Sequence, residues 1–211
     1  MFPLYARIWN KLIEKTNPIF GRIRQKKLKN RDFTIISNNC WAGVCYEYFA
    51  LKKLSPTVGL YFYAEDYLKF VSDLKYYTGL TLEMISAEKS KHYAELKKRG
   101  ELEVPIGKLG DIEVIFLHYK DPKVAKEKWE RRVKRINWSN LILKFSYMNG
   151  CTDEMVREFE ELNVQKKIIF VPKLFSEYDN AFVIPAGNEG QIENDTFYWN
   201  RWFDVIEFLN R

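Results

Sequence analysis

From residue 33 onward the chain alternates between short apolar runs and longer stretches with apolar residues every three or four positions. The first period belongs to buried strands and the second to amphipathic helices. Strands are expected at FTIIS (33–37), VGLYFY (58–63), LTLEMI (80–85), LILKFS (141–146) and KIIFVP (167–172). AFVIP (181–185) reads as a short edge strand, since Pro185 cannot continue a ladder. The stretch 103–119 reads as a hairpin turning at 108–110, with the stronger strand in its second half. Helices are expected over 42–53, over 65–77 with Tyr67, Phe70, Val71 and Leu74 inward, and from Pro122 to about 135. Two more run from a Thr152 or Asp153 cap to 162 and over 198–209. The polar run 86–100, ending at Gly100, is helical or loop. Strand–helix alternation with short connections predicts a three-layer α/β/α domain around a mainly parallel sheet.

Residues 1–31 have a different character. Leu4, Tyr5, Ile8, Trp9, Leu12 and Ile13 keep a helical period over 3–16, with Arg7, Lys11 and Lys15 off that stripe. Asn17-Pro18 is expected to end or kink this helix, and a second basic helix follows over 19–29. The 211-residue chain has a net charge of +6. Nine Lys and Arg against Glu14 alone put +8 into residues 1–31, which leaves −2 for the rest. A basic helical arm (1–31) joined to an α/β/α domain (32–211) is the expected organisation. The arm either packs on the domain or rests on an anionic membrane face. With the basic charge confined to the arm, nucleic acid is an unlikely partner.

No window has the roughly 18 apolar residues of a membrane-spanning helix, and Arg7 and Lys11 interrupt any signal-peptide core. Three cysteines, Cys40, Cys45 and Cys151, do not make a disulfide scaffold in a chain of this size. A cytoplasmic location, peripheral at the inner membrane face if the arm binds lipid, is the expectation.

Ligands of parallel sheets bind beyond the carboxyl ends of the strands. The first such end is Ser37-Asn38-Asn39-Cys40-Trp41. Its amides suit a turn or cap, or the stabilisation of developing negative charge. Cys40, close to a helix N-terminus, is expected to have a lowered pKa, which favours a nucleophilic thiolate, unless it serves as a small buried hydrophobe. His118 follows the apolar strand 112–117 and is either a structural or exposed histidine or a general base paired with Cys40 or Ser37. His92 lies in a charged segment expected to be exposed. Glu65 and Asp66 complement a helix dipole, or orient a base or a divalent metal. Lys128, Arg131, Arg132 and Arg135 share one face of the helix from Pro122, which either is a solvated basic face or grips a diphosphate or a sugar acid, with Trp41 and Asn149 as further ligand-binding candidates. The catalytic candidates are therefore Asn38, Asn39, Cys40 and His118, with no metal-ligand set and no identifiable cofactor. Gly-x-Gly-x-x-Gly, Walker, His-Glu-x-x-His, Cys-x-x-Cys and Gly-x-Ser-x-Gly motifs are all missing.

Together, ISNNCWAG, LSPTVGLYF, YLKFVSDLKYY and KWERRVKRIN resemble a bacterial family of unknown function often described as exopolysaccharide biosynthesis proteins. The resemblance covers 33–209 and rests on Asn38, Asn39, Cys40, Trp41, Gly43, Pro56, Gly59, Trp129, Arg132, Arg135 and Asn137. It implies an α/β/α fold and a link to cell-surface polysaccharide synthesis, and names no catalytic residues. The expected function is acyl or glycosyl transfer to a sugar hydroxyl, with a sugar or activated sugar as substrate. The alternatives are a non-catalytic glycan-binding or assembly component, and thiol chemistry through Cys40.

Overall fold

The computed structural model describes residues 4–175, 177–187, 189–196 and 203–211, without the side chains of 4–7 and 9–10. Four strands make a parallel sheet in the order β1 (Thr34–Ser37), β5 (Leu141–Ser146), β6 (Lys166–Val171), β7 (Ala181–Val183). Helices cover both faces. On one face α3 (Ala64–Ser72) and α7 (Asp153–Glu161) pack through Tyr67, Phe70, Val156 and Phe159 against Ile36, Leu143 and Phe145. On the other, α2 (Trp41–Tyr48) and α8 (Val205–Asn210) pack through Trp41, Tyr46, Val205 and Leu209 against Ile35, Ile142 and Phe170. Successive residues of a strand face opposite sides, so the run Ile142-Leu143 serves both cores.

The expected α/β fold is therefore present, but the sheet is divided. β2 (Glu83–Ile85), β3 (Ile106–Leu109) and β4 (Ile112–Ile115) form a separate antiparallel sheet. The β3–β4 turn is reached through Gly110, whose φ of +60° needs a glycine-tolerant position. The run 58–63 is not a strand but a joint between the two sheets. Tyr61 exchanges backbone hydrogen bonds with Ile115 (2.9 Å each), while Phe62 and Ala64 donate to Asn38 O and Asn149 O (3.0 Å each). The apolar pattern reflects burial on all sides, which a strand and such a joint share.

Other boundaries also shift. The helix expected over 65–77 is broken at Asp73, whose side chain caps α4 (Leu74–Gly79) by accepting from Tyr76 N. The segment 86–100 contains a 3-10 turn, Ala87–Lys89, and α5 (Tyr93–Arg99) closed by Gly100 in the left-handed region. α6 (Pro122–Val133) starts at an Asp121 cap and ends before Arg135. The closing helix expected over 198–209 starts at an Asp204 cap, and its earlier part lies outside the described residues.

α1 (Leu4–Gln25) runs through Pro18 without ending. The lost donor at Pro18 deprives the Glu14 carbonyl, but Glu14 is exposed to water. Thr16 Oγ1 donates to the carbonyls of Leu12 (2.8 Å) and Ile13 (3.1 Å). Contacts on α2 then hold the following turn: Asn17 and Gly21 are buried, and Arg24 donates to Tyr48 O (2.6 Å).

Candidate functional site

The Ser37-Asn38-Asn39 corner turns inward, toward a polar cluster inside the core. Lys144, in the second strand of the parallel sheet, is fully buried on the α2 face. Its ammonium donates to Asp195, to Ser146 Oγ (2.6 Å) and to Asn39 Oδ1 (2.9 Å). Asp195 Oδ2 also accepts from Ser146 Oγ (2.5 Å) and Asn39 Nδ2 (2.8 Å). Burial lowers the Lys144 pKa, and Asp195 opposes that shift. Such a pair tolerates burial because each charge meets its partner and further hydrogen bonds. Asp195 Oδ1 has no partner among the described residues.

Three of the candidate residues lie in or against this cluster. Asn38 is fully buried and clamps Ser146 with both ends of its amide, Nδ2 to Ser146 O (3.0 Å) and Ser146 N to Oδ1 (3.1 Å). The Asn39 amide is committed to Lys144, Asp195, Trp41 N (3.1 Å) and Met148 Sδ (3.0 Å). Neither amide is left to face a substrate oxyanion. Trp41 is fully buried between Phe170 and Phe203, with ring centroids at 5.7 and 6.4 Å, so it packs the core rather than a ligand.

Cys40 faces outward, onto a cleft of 340 Å³ that it lines with Gly43, Gly59, His118, Lys128 and Arg132. The joint between the sheets brings these together, since His118 N donates to Gly59 O (3.1 Å). His118 is exposed, and its ring makes no hydrogen bond among the described residues. It follows β4 of the antiparallel sheet, not a strand of the parallel one. Arg132 Nη1 donates to Val58 O (2.9 Å) and to Tyr119 OH (2.5 Å). Lys128 Nζ lies 5.1 Å from the Tyr119 ring centroid. Lys53 also lines the cleft and pairs with Glu47, its one lining carboxylate among the described residues. Lys128 and Arg132 make no ion pair among the described residues, so the cleft is net cationic.

The four-cation face is reduced. Lys128 and Arg132, one turn apart, point into the cleft, Arg131 is exposed, and Arg135 lies beyond the end of α6. The thiol expectation is reversed. Burial, reinforced by Asp195, pushes the Cys40 pKa up to about 11, against the weaker effect of Lys144. Cys40 Sγ sits 3.8 Å from Leu60 O as a donor.

Asn149 is elsewhere, in an 810 Å³ cleft at the carboxyl end of β5 with Tyr63, Lys98, Arg99, Gln191 and Glu193. Its Nδ2 donates to Phe62 O (3.0 Å), and its Oδ1 accepts from Arg99 (3.1 Å). Close to Tyr63 is a pairing that the sequence pattern concealed. Asp66 is fully buried and holds both Lys91 and His92, the latter with Nε2 at 2.6 Å. The His92 ring stacks on Tyr63 at 3.8 Å, so His92 is half-buried rather than exposed. Among the described residues no group of three His, Cys, Asp or Glu side chains is placed to hold a metal ion, and no helix is long and apolar enough to cross a membrane.

The model of a family described as "Domain of unknown function (DUF1919)" matches residues 11–210, reaching back into α1. An "Uncharacterized protein" of Haemophilus influenzae is 26% identical over 214 residues, covering 98% of each chain. The match runs from the arm through both sheets and both clefts to α8, and on that span the chain belongs to the DUF1919 family.

Proposed function

We propose that the protein serves cell-surface polysaccharide synthesis and transfers an acyl or glycosyl group from an anionic activated donor to a sugar hydroxyl, in the cleft between α2 and α6. The observation that carries the reading is the gathering, among the described residues, of Lys128, Arg132 and an unpaired, exposed His118 in one cleft with a single, already paired, carboxylate. A net cationic cleft suits a phosphate or diphosphate. His118 would take the proton of the acceptor hydroxyl as its oxygen bonds to the transferred carbon. The donor's leaving group departs with the electron pair of the broken bond, toward Lys128. Cys40 serves as a neutral wall, since a thiol with a raised pKa is a poor nucleophile near neutrality.

Calorimetric titration with a panel of nucleoside diphosphate sugars tests this. Binding should weaken with salt and fall by about tenfold or more in Lys128→Ala, the worth of one charge-assisted hydrogen bond. His118→Ala should keep donor affinity and lose about a hundredfold or more in transfer rate. If no donor binds, or Lys128→Ala binds as the native chain does, the reading fails. The second reading, a glycan-binding component, is favoured by the larger cleft, where Tyr63, Arg99, Asn149 and Gln191 offer a ring and planar polar groups. Neutral oligosaccharide binding that Asn149→Ala weakens, with no donor binding, would select it.

A further inference from the structure

α1 has two faces with opposite fates. One is clamped to α2: Asn17 is buried, Arg24 donates to Asn17 Oδ1 (2.9 Å) and Tyr48 O (2.6 Å), and its guanidinium lies 3.8 Å from the Tyr48 ring centroid. Gly21 belongs to the same face, with the backbone of Ala50 so close that a Cβ would come within 2.9 Å of its nitrogen. At 100° per residue, Ile8, Leu12, Ile19 and Ile23 fall within an arc of about 60° on the opposite side. They are 53, 50, 69 and 53% exposed, and Phe20, beside them, is 50% exposed. Scattered exposed apolar residues need no explanation, but apolar residues repeated along one helix face mark an interaction surface. The stripe runs from residue 8 to residue 23, about 22 Å along the axis.

Charge identifies the occupant. Lys11, Lys15 and Arg22 flank the stripe on one side, and Lys26, Lys27, Lys29 and Arg31 follow the helix; all seven are exposed. A second copy of the chain would bring another +8 against this surface. An anionic bilayer takes the apolar stripe below its headgroups and the lysines and arginines at them. We propose that α1 is a docking helix that lays its Ile8–Leu12–Ile19–Ile23 stripe onto an anionic phospholipid surface, while the Asn17–Gly21–Arg24 face holds the α/β/α domain to it. Ile8 and Leu12 are half-exposed and so take no part in the domain core, while the side chains of Leu4 and Trp9 lie outside those described.

The test is co-sedimentation of the full chain with phosphatidylglycerol–phosphatidylcholine vesicles and with phosphatidylcholine alone. The native chain should bind only the anionic vesicles, and less at high salt. Ile19→Glu with Ile23→Glu should reduce binding by about tenfold or more, because it removes apolar burial and adds repulsion. Both sites are exposed, so the melt of this variant should match that of the native chain. A Lys26→Glu, Lys27→Glu, Lys29→Glu variant should bind weakly while keeping the apolar stripe. Equal binding to neutral vesicles, or none to anionic ones, would overturn the proposal. So would oligomers of the native chain that Ile19→Glu dissolves, since the stripe would then belong to a second copy.

Discussion

Cys40 occupies a position that ordinarily acidifies a thiol, yet its surroundings do the reverse. It precedes α2 and could draw on that helix's dipole, but desolvation and the nearby Asp195 carboxylate outweigh that help. With a folded pKa of about 11 against 9.0 for the free group, the folded chain holds the proton more tightly than the unfolded one. Its contribution to stability is therefore complete below pH 9.0 and is lost as pH rises toward about 11. Alkylation of Cys40 by iodoacetamide, followed peptide by peptide, should accelerate up to about pH 11 and only then level off. A plateau at or below pH 9.0 would restore the thiolate reading. The same residue scale shows what the sequence could and could not announce. Lys144 stands in the middle of LILKFS, a charge inside a buried-strand pattern, and that alone demanded a buried partner. Nothing in the spacing named Asp195, which comes from a loop 51 residues away. Asn38 and Asn39 were conspicuous, but amides serve a buried network as readily as an oxyanion, and sequence cannot separate the two uses.

At the scale of elements, periodicity located most helices and strands because one buried face dominates each of them. It misread segments buried on more than one side, such as the joint at 58–63, and it could not foresee that Asp73 caps a new helix inside an unbroken apolar period. Pro18 is the plainest case. Its ring argues locally for a break, and tertiary contacts around Asn17, Gly21 and Arg24 override it. Gly21→Ala tests whether that clamp holds α1 in place. The new methyl would meet backbone atoms, Ala50 N at 2.9 Å and Tyr48 O at 3.2 Å, which cannot swing aside as a side-chain tip would. Overpacking of this kind costs about 1–3 kcal/mol, against a gain of about 1 kcal/mol in helix propensity. The variant should melt at a lower temperature, and trypsin should cut sooner at Lys11 to Arg31. An unchanged digestion pattern would mean that α1 is held by contacts other than this close approach.

The whole molecule is bound together where the two sheets share one core. Leu109, Ile112, Val114 and Phe116 from the antiparallel side pack in the same cluster as Leu143, Phe145, Ile169 and Val171 from the parallel sheet. Trp129 reports on that cluster, and Trp41 on the core across the sheet. A polar tie supplements the shared core. Asp66 on α3 holds Lys91 and His92, and Glu113 on β4 accepts from Ser90 Oγ (2.5 Å) and Lys91 N (3.0 Å). The segment 90–92 is thus fastened both to the helix over the parallel sheet and to the antiparallel sheet. Asp66→Ala removes one end of the tie. Breaking a buried ion pair costs about 3–5 kcal/mol when the remaining charge stays buried. Here Lys91 is 38% exposed on its side chain and can turn to water, so about 1–3 kcal/mol is expected. Because the apolar cluster still spans both sheets, the loss should lower the urea midpoint without splitting the transition. Far-ultraviolet circular dichroism and tryptophan fluorescence should fall on one curve in the native chain and in Asp66→Ala alike. Two separated transitions in the native chain would show that the antiparallel sheet unfolds by itself. Separation in the variant alone would show that the polar tie, rather than the shared apolar cluster, couples the sheets.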